Sequence, residues 1–105
     1  MSPELKQNLA THPRVVVVFS SPWCGPCRAL EAQLDGVLPT HPSLKAVHVD
    51  VSVDPASAQA FSVRATPTLL GIVDGRVIAQ HTGNPSPRAL QKFLRGIQQT
   101  EGAAK

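Results

Sequence analysis

The sequence predicts an α/β fold: a single mixed central sheet of about four strands, flanked by helices on both faces. Three observations predict it. The run Val15-Val16-Val17-Val18-Phe19 is β-branched and has no polar side, so it reads as a strand covered from both directions. Helix-like and strand-like periods then alternate along the chain, the pattern of strand–helix–strand units. Finally, Asp74-Gly75 separates two strand-like segments and signals a two-residue hairpin, which adds antiparallel strands to a parallel pair.

Each element has its own local reason. Ser2 followed by Pro3 is a helix cap with proline at the first position, where its missing N–H costs nothing; this helix occupies 2–11 and ends near His12-Pro13. The valine strand spans Arg14 to Ser20. A helix from about Cys24 to Leu38 follows, with Cys27, Leu30, Leu34, Val37 and Leu38 on its inward stripe and Pro39 as its stop. Lys45 to Val51 alternates, Val47, Val49 and Val51 against Ala46, His48 and Asp50. Asp54-Pro55 opens a short helix to about Phe61. Thr68–Val73 and Arg76–Thr82 form the hairpin, and Gly83 to Pro85 breaks the chain. Ser86-Pro87 starts the last helix, with Leu90, Phe93, Leu94 and Ile97 at i, i+3, i+4 and i+7. The chain reads as one domain over 1–105, with a core over 14–99 and a frayed tail over 100–105.

Composition excludes several functions. Hydrophobic residues make up 42% of the 105, too many for a disordered chain. No apolar run approaches the roughly 18 residues of a membrane span, and the N-terminus has no basic segment leading into an apolar one, so neither a membrane nor a signal peptide is expected. The net charge of +3 is spread along the chain, and the four aromatic residues do not interleave with basic clusters, so nucleic acid is not an expected partner. Arg88, Lys92 and Arg95 read as a solvated face of the last helix.

The chemistry lies in Trp23-Cys24-Gly25-Pro26-Cys27. A bare C-x-x-C fits either redox or metal chemistry. There is no second such pair and no closely spaced histidine pair to complete a zinc site, and a strand-to-helix location is the redox context. Cys24 falls at a helix N-terminus, where unpaired N–H groups and the helix dipole favour the thiolate, the nucleophilic form. Cys27 lies one turn on, on the apolar stripe, close enough to bridge and more sheltered. Pro26 lacks an N–H that would be orphaned there, and Gly25 removes bulk beside the attacking sulfur.

At these residues the sequence resembles the thioredoxin family, whose active-site pentapeptide Trp23 to Cys27 reproduces in full. The likeness runs from about Val15 to Leu94 and includes Thr66-Pro67-Thr68, Asp74-Gly75 and Gly83. It implies a cytoplasmic thiol–disulfide oxidoreductase, a protein-disulfide reductase with no cofactor beyond its own redox-active cysteines. Cys24 would be the nucleophile and Cys27 the resolving thiol. Disulfide-containing proteins would be its substrates, a thioredoxin-reductase-like donor would restore the dithiol, and the chain would act as a monomer. Pro67 would be cis and lie against the cysteines, the Thr66 backbone would pair with substrate, and Trp23 would be a substrate-contacting platform. The rival readings are an envelope thiol carrier or oxidase, and a non-catalytic interaction or metal-carrier module.

Two departures from the family pattern carry expectations. Only 14 residues precede Val15 and they read as one helix, so the family's N-terminal strand is missing and four strands are expected. The family's buried Asp falls on Val18, and its partner Lys falls on His48. An imidazole titrates near neutrality, so His48 is the candidate proton acceptor for the resolving thiol, weighed against a surface histidine with no role. Asp50 is its competitor for that role.

Overall fold

The computed structural model describes residues 1–101; the part of the expected tail over 102–105 lies outside the described residues. In chain order the elements are α1 (Pro3–Thr11), β1 (Arg14–Ser20), α2 (Gly25–Val37), a 3-10 turn (Leu38–Thr40), β2 (Lys45–Asp50), α3 (Pro55–Ala60), β3 (Thr68–Val73), β4 (Arg76–Thr82) and α4 (Pro87–Gln99). The strands form one four-stranded sheet in the order β2-β1-β3-β4. β1 pairs parallel with β2, Val18 opposite His48, and antiparallel with β3, Val18 opposite Leu69. The sheet is therefore mixed, with the valine strand central.

The centre of the sheet explains the lack of a polar face in that strand. Val15, Val17 and Phe19 point into one apolar cluster with Leu5 of α1, Val47 and Val49 of β2, and Ala58 of α3. Val16 and Val18 point into the other, with Leu30 and Leu34 of α2 and Leu90, Leu94 and Ile97 of α4. The helix starts use one device repeatedly. The hydroxyls of Ser2 and Ser86 and the carboxylate of Asp54 each accept the backbone N–H three residues on, and a proline follows each cap. The Ser2 N–H also donates to Ser57 Oγ at 3.0 Å, which ties α1 to α3.

Two details depart from the local reading, and a third lies outside it. Pro39 does not end the helical path. α2 stops at Val37, and Pro39 sits inside the 3-10 turn, closed by His41 N–H donating to the Leu38 carbonyl at 2.8 Å. A proline opposes an α-helical bond to the residue four before it, yet its fixed φ suits the tighter turn. The hairpin is also not regular. Gly71 faces Ala79 and Ile72 faces Val77, so Ile78 is an extra residue, a bulge in β4. Lastly, His41 is buried, its ring nitrogens facing the side-chain oxygens of Gln98 and Gln91 on α4. The turn itself follows the reading: Asp74 and Gly75 have φ of 48° and 82°, the left-handed pair a tight hairpin requires.

Gly71 is needed for packing. A Cβ built there would stand 2.6 Å from both Cγ1 and Cδ1 of Ile97, a side chain with no exposed surface. Ile97 is β-branched and helical, with little rotamer freedom to yield. Gly71→Ala should therefore destabilise the fold by about 1–3 kcal/mol, the range for overpacked cores, read as a lower urea midpoint at unchanged slope. A midpoint equal to the parent's would show that α4 gives way freely.

Candidate active site

The site is built where β1 hands over to α2. Cys24 is the N-cap of α2 in extended backbone (φ −117°, ψ 103°), and its Sγ accepts the Cys27 N–H at 3.2 Å. A sulfur thus occupies the place that Ser2, Asp54 and Ser86 fill with oxygen in the other helices, facing the unpaired N–H groups of the first turn. Cys24 and Cys27 are joined as a disulfide, with Cα atoms 5.2 Å apart. The two ends differ in access: Cys27 is 1% exposed, whereas Cys24 is only half-buried. Pro26 lies in the first two positions of α2. Gly25 is exposed and a Cβ there would meet nothing within the chain, so any bulk would project toward an incoming molecule.

Trp23 is 97% exposed and takes no part in the core. The Thr66-Pro67 bond is cis and Pro67 is buried. The backbone N–H and C=O of Thr66 have no hydrogen-bond partner among the described residues. The Pro67 carbonyl accepts the Gly83 N–H at 2.8 Å, which fixes this loop to the end of the hairpin.

Val18 is buried in the cluster with Leu30, one helical turn from Cys27, so the interior behind the sheltered sulfur is apolar. The buried polar side chains of the described residues are His41, Ser57 and Thr68, none of them a carboxylate. His48 is exposed on the edge strand β2, directly opposite Val18, so its side chain leaves the sheet on the α2 side. Asp50, its competitor, is otherwise engaged: the Ser52 hydroxyl, then the Ser52 N–H, hold its carboxyl below the usual carboxylate value and make it a weak proton acceptor at neutral pH.

Sequence reasoning does not pick out two further residues here. Arg28 donates from Nη2 to the Pro22 carbonyl, which anchors a cation across the turn that carries Trp23 and Cys24. Ser21 shares a hydrogen bond with Thr66. Neither has a local signature, since a lone Arg on an outer helix face and a Ser at a strand end are both ordinary. Among the described residues no group of three or more His, Cys, Asp or Glu could hold a metal ion.

A disulfide capping a helix at the exit of a central strand, with one sulfur accessible and one sheltered, defines a dithiol–disulfide exchange protein. The Thioredoxin family model matches residues 2–96, and the chain belongs to the thioredoxin family. It is 36% identical over 85 residues to Thioredoxin-2 of Pyricularia oryzae, covering 81% of this chain and half of that longer protein. It is 35% identical over 81 residues to the thioredoxin of Haemophilus influenzae, 76% of each chain. Among solved structures, oxidised mitochondrial thioredoxin 3 of Saccharomyces cerevisiae superposes with a TM-score of 0.82 at 29% identity, covering 89% of this chain and 87% of that one. A mutant thioredoxin of Halobacterium salinarum reaches 0.86 at 27% identity, covering 96% and 88%. The four-stranded mixed sheet flanked by helices is a thioredoxin fold, and thiol–disulfide oxidoreductase activity follows from the family membership.

Proposed function

We propose that Cys24 is the attacking sulfur and Cys27 the resolving one in the reduction of disulfides in other proteins. The observation that carries this reading is the difference between the two sulfurs: Cys24 Sγ is reachable and receives a backbone N–H, and Cys27 is sealed in the core. In the reduced protein the Cys24 thiolate attacks one sulfur of the substrate disulfide. A mixed disulfide forms and the first substrate sulfur leaves as a thiolate that takes up a proton. Cys27, once deprotonated, attacks Cys24 Sγ. The Cys24–Cys27 disulfide forms and the second substrate sulfur leaves. The substrate gains two electrons and the chain loses two, which a thioredoxin-reductase-like donor returns.

Trp23 offers substrate an apolar platform, and the free peptide edge of Thr66, fixed by Pro67, offers an extended segment its hydrogen bonds. Gly25 and Pro26 keep the approach to Cys24 open. The chain works as a monomer in a reducing compartment, the cytoplasm, where thiols are kept reduced. The test is insulin reduction driven by dithiothreitol, together with alkylation of the reduced protein. Cys24 should react about tenfold faster at pH 7 than an ordinary surface thiol, as fits a cysteine at a helix N-terminus. Equal alkylation rates, or no acceleration of insulin reduction, would defeat the assignment. A measured reduction potential on the oxidising side would instead favour an oxidase or envelope thiol carrier.

His48 is proposed as the proton acceptor for Cys27, directly or through water. It stands opposite Val18 on the α2 side of the sheet, next to an apolar cluster that holds no carboxylate. In His48→Ala the pH profile of Cys27 reactivity, measured in a Cys24→Ser background, should move to higher pH. A superimposable profile removes His48 from the mechanism.

A further inference from the structure

Ser21 and Thr66 are 45 residues apart in sequence, yet their hydroxyl oxygens lie 3.1 Å apart. Ser21 leaves β1 three residues ahead of Cys24, and Thr66 immediately precedes the cis bond to Pro67. Both side chains are half-buried, and either hydroxyl can donate to the other. The loop holding Thr66 is otherwise tied to itself and to the far end of the hairpin. The Thr68 hydroxyl donates to the Ala65 carbonyl at 2.7 Å, and the Gly83 N–H donates to the Pro67 carbonyl at 2.8 Å. Among the described residues, the Ser21–Thr66 bond is the only side-chain hydrogen bond from this loop to the segment that carries Cys24. It also occupies the Thr66 side chain, while the Thr66 backbone N–H and C=O stay free.

We infer that Ser21 is a positioning residue for protein substrates: its bond to Thr66 fixes the distance between the free peptide edge of Thr66 and Cys24 Sγ. The inference rests on the reading that an extended substrate pairs with Thr66. A segment lying on that edge brings its disulfide to Cys24 only if the two loops keep their spacing. A small disulfide has no strand to lay there and does not depend on the bond. Ser21 thus acts on one substrate class and leaves the chemistry of the cysteines unchanged.

The experiment compares the parent with Ser21→Ala, Ser21→Thr, Thr66→Val and the Ser21→Ala/Thr66→Val double variant. Insulin serves as the protein disulfide and 2-hydroxyethyl disulfide as the small one. In Ser21→Ala, KM for insulin should rise about 3- to 10-fold with little change in kcat, the factor expected for one hydrogen bond of modest net worth. Ser21→Thr, which keeps the hydroxyl, should return KM to near the parent's value. The double variant should be no worse than the poorer single one, the non-additive mark of a shared bond. The rate with 2-hydroxyethyl disulfide should not change in Ser21→Ala. An unchanged insulin KM, additive single effects, or equal slowing of both substrates would each overturn the inference. A parent chain that reduces the small disulfide but not insulin would bring down the protein-substrate reading and the positioning role together.

Discussion

Cys27→Ser should abolish turnover while leaving the first chemical step intact. Cys24 still attacks, but the substrate then stays on it as a stable mixed disulfide, because the chain holds only two cysteines. In the parent the second sulfur stands one helical turn away, so resolution is intramolecular. Losing that advantage should lower the insulin-reduction rate by on the order of a thousandfold or more, a conservative share of the effective molarities that oriented intramolecular attack provides. Mass spectrometry of an equimolar mixture should find the adduct on Cys24. The roles of the two sulfurs would have to be exchanged if Cys24→Ser, and not Cys27→Ser, captured substrate. The exposure difference argues against that outcome, since a sulfur 1% exposed cannot reach a protein-sized disulfide.

Val18→Asp should produce the largest loss of stability of any single change near the site. Val18 is 1% exposed and lies among Leu30, Leu69 and Leu34, with no buried carboxylate, lysine or arginine among the described residues to receive a charge. The introduced carboxyl forfeits the valine's burial and enters an apolar region without a hydrogen-bond partner. The cost should be about 3–5 kcal/mol, a large part of the stability of a small domain. Burial would also hold the new group protonated to well above the ordinary carboxylate range. The stability loss should accordingly deepen as pH rises and this group is forced to ionise while buried, since the unfolded chain releases the proton more readily. Urea titrations at pH 5 and pH 8 read both effects. A variant as stable as the parent would mean that water already reaches this side of β1.

How far the sequence reveals this molecule depends on the range of each interaction. Period and punctuation are local, and they sufficed for the strands and the α-helices. The valine run marks a strand buried on both faces, three cap-plus-proline pairs mark helix starts, and Asp74-Gly75 marks the hairpin. The unequal cysteines were legible for the same reason, because a helix start and an apolar stripe are both visible within a few residues. What stayed hidden was set by distant neighbours. The bulge at Ile78 comes from register along the hairpin, where the period of two cannot tell one extra residue from none. The burial of His41 requires Gln91 and Gln98, 50 and 57 residues away. Ser21 gains its meaning only when Thr66 arrives beside it, and Val18 reveals an apolar interior only when α2 is laid across it.

The chain contains one tryptophan and no tyrosine, and that tryptophan is almost fully open to solvent next to Cys24. The molecule's indole emission therefore originates beside the Cys24–Cys27 disulfide. Opening or closing that disulfide should change the emission of the indole, which would give an optical reading of the redox state without an attached dye.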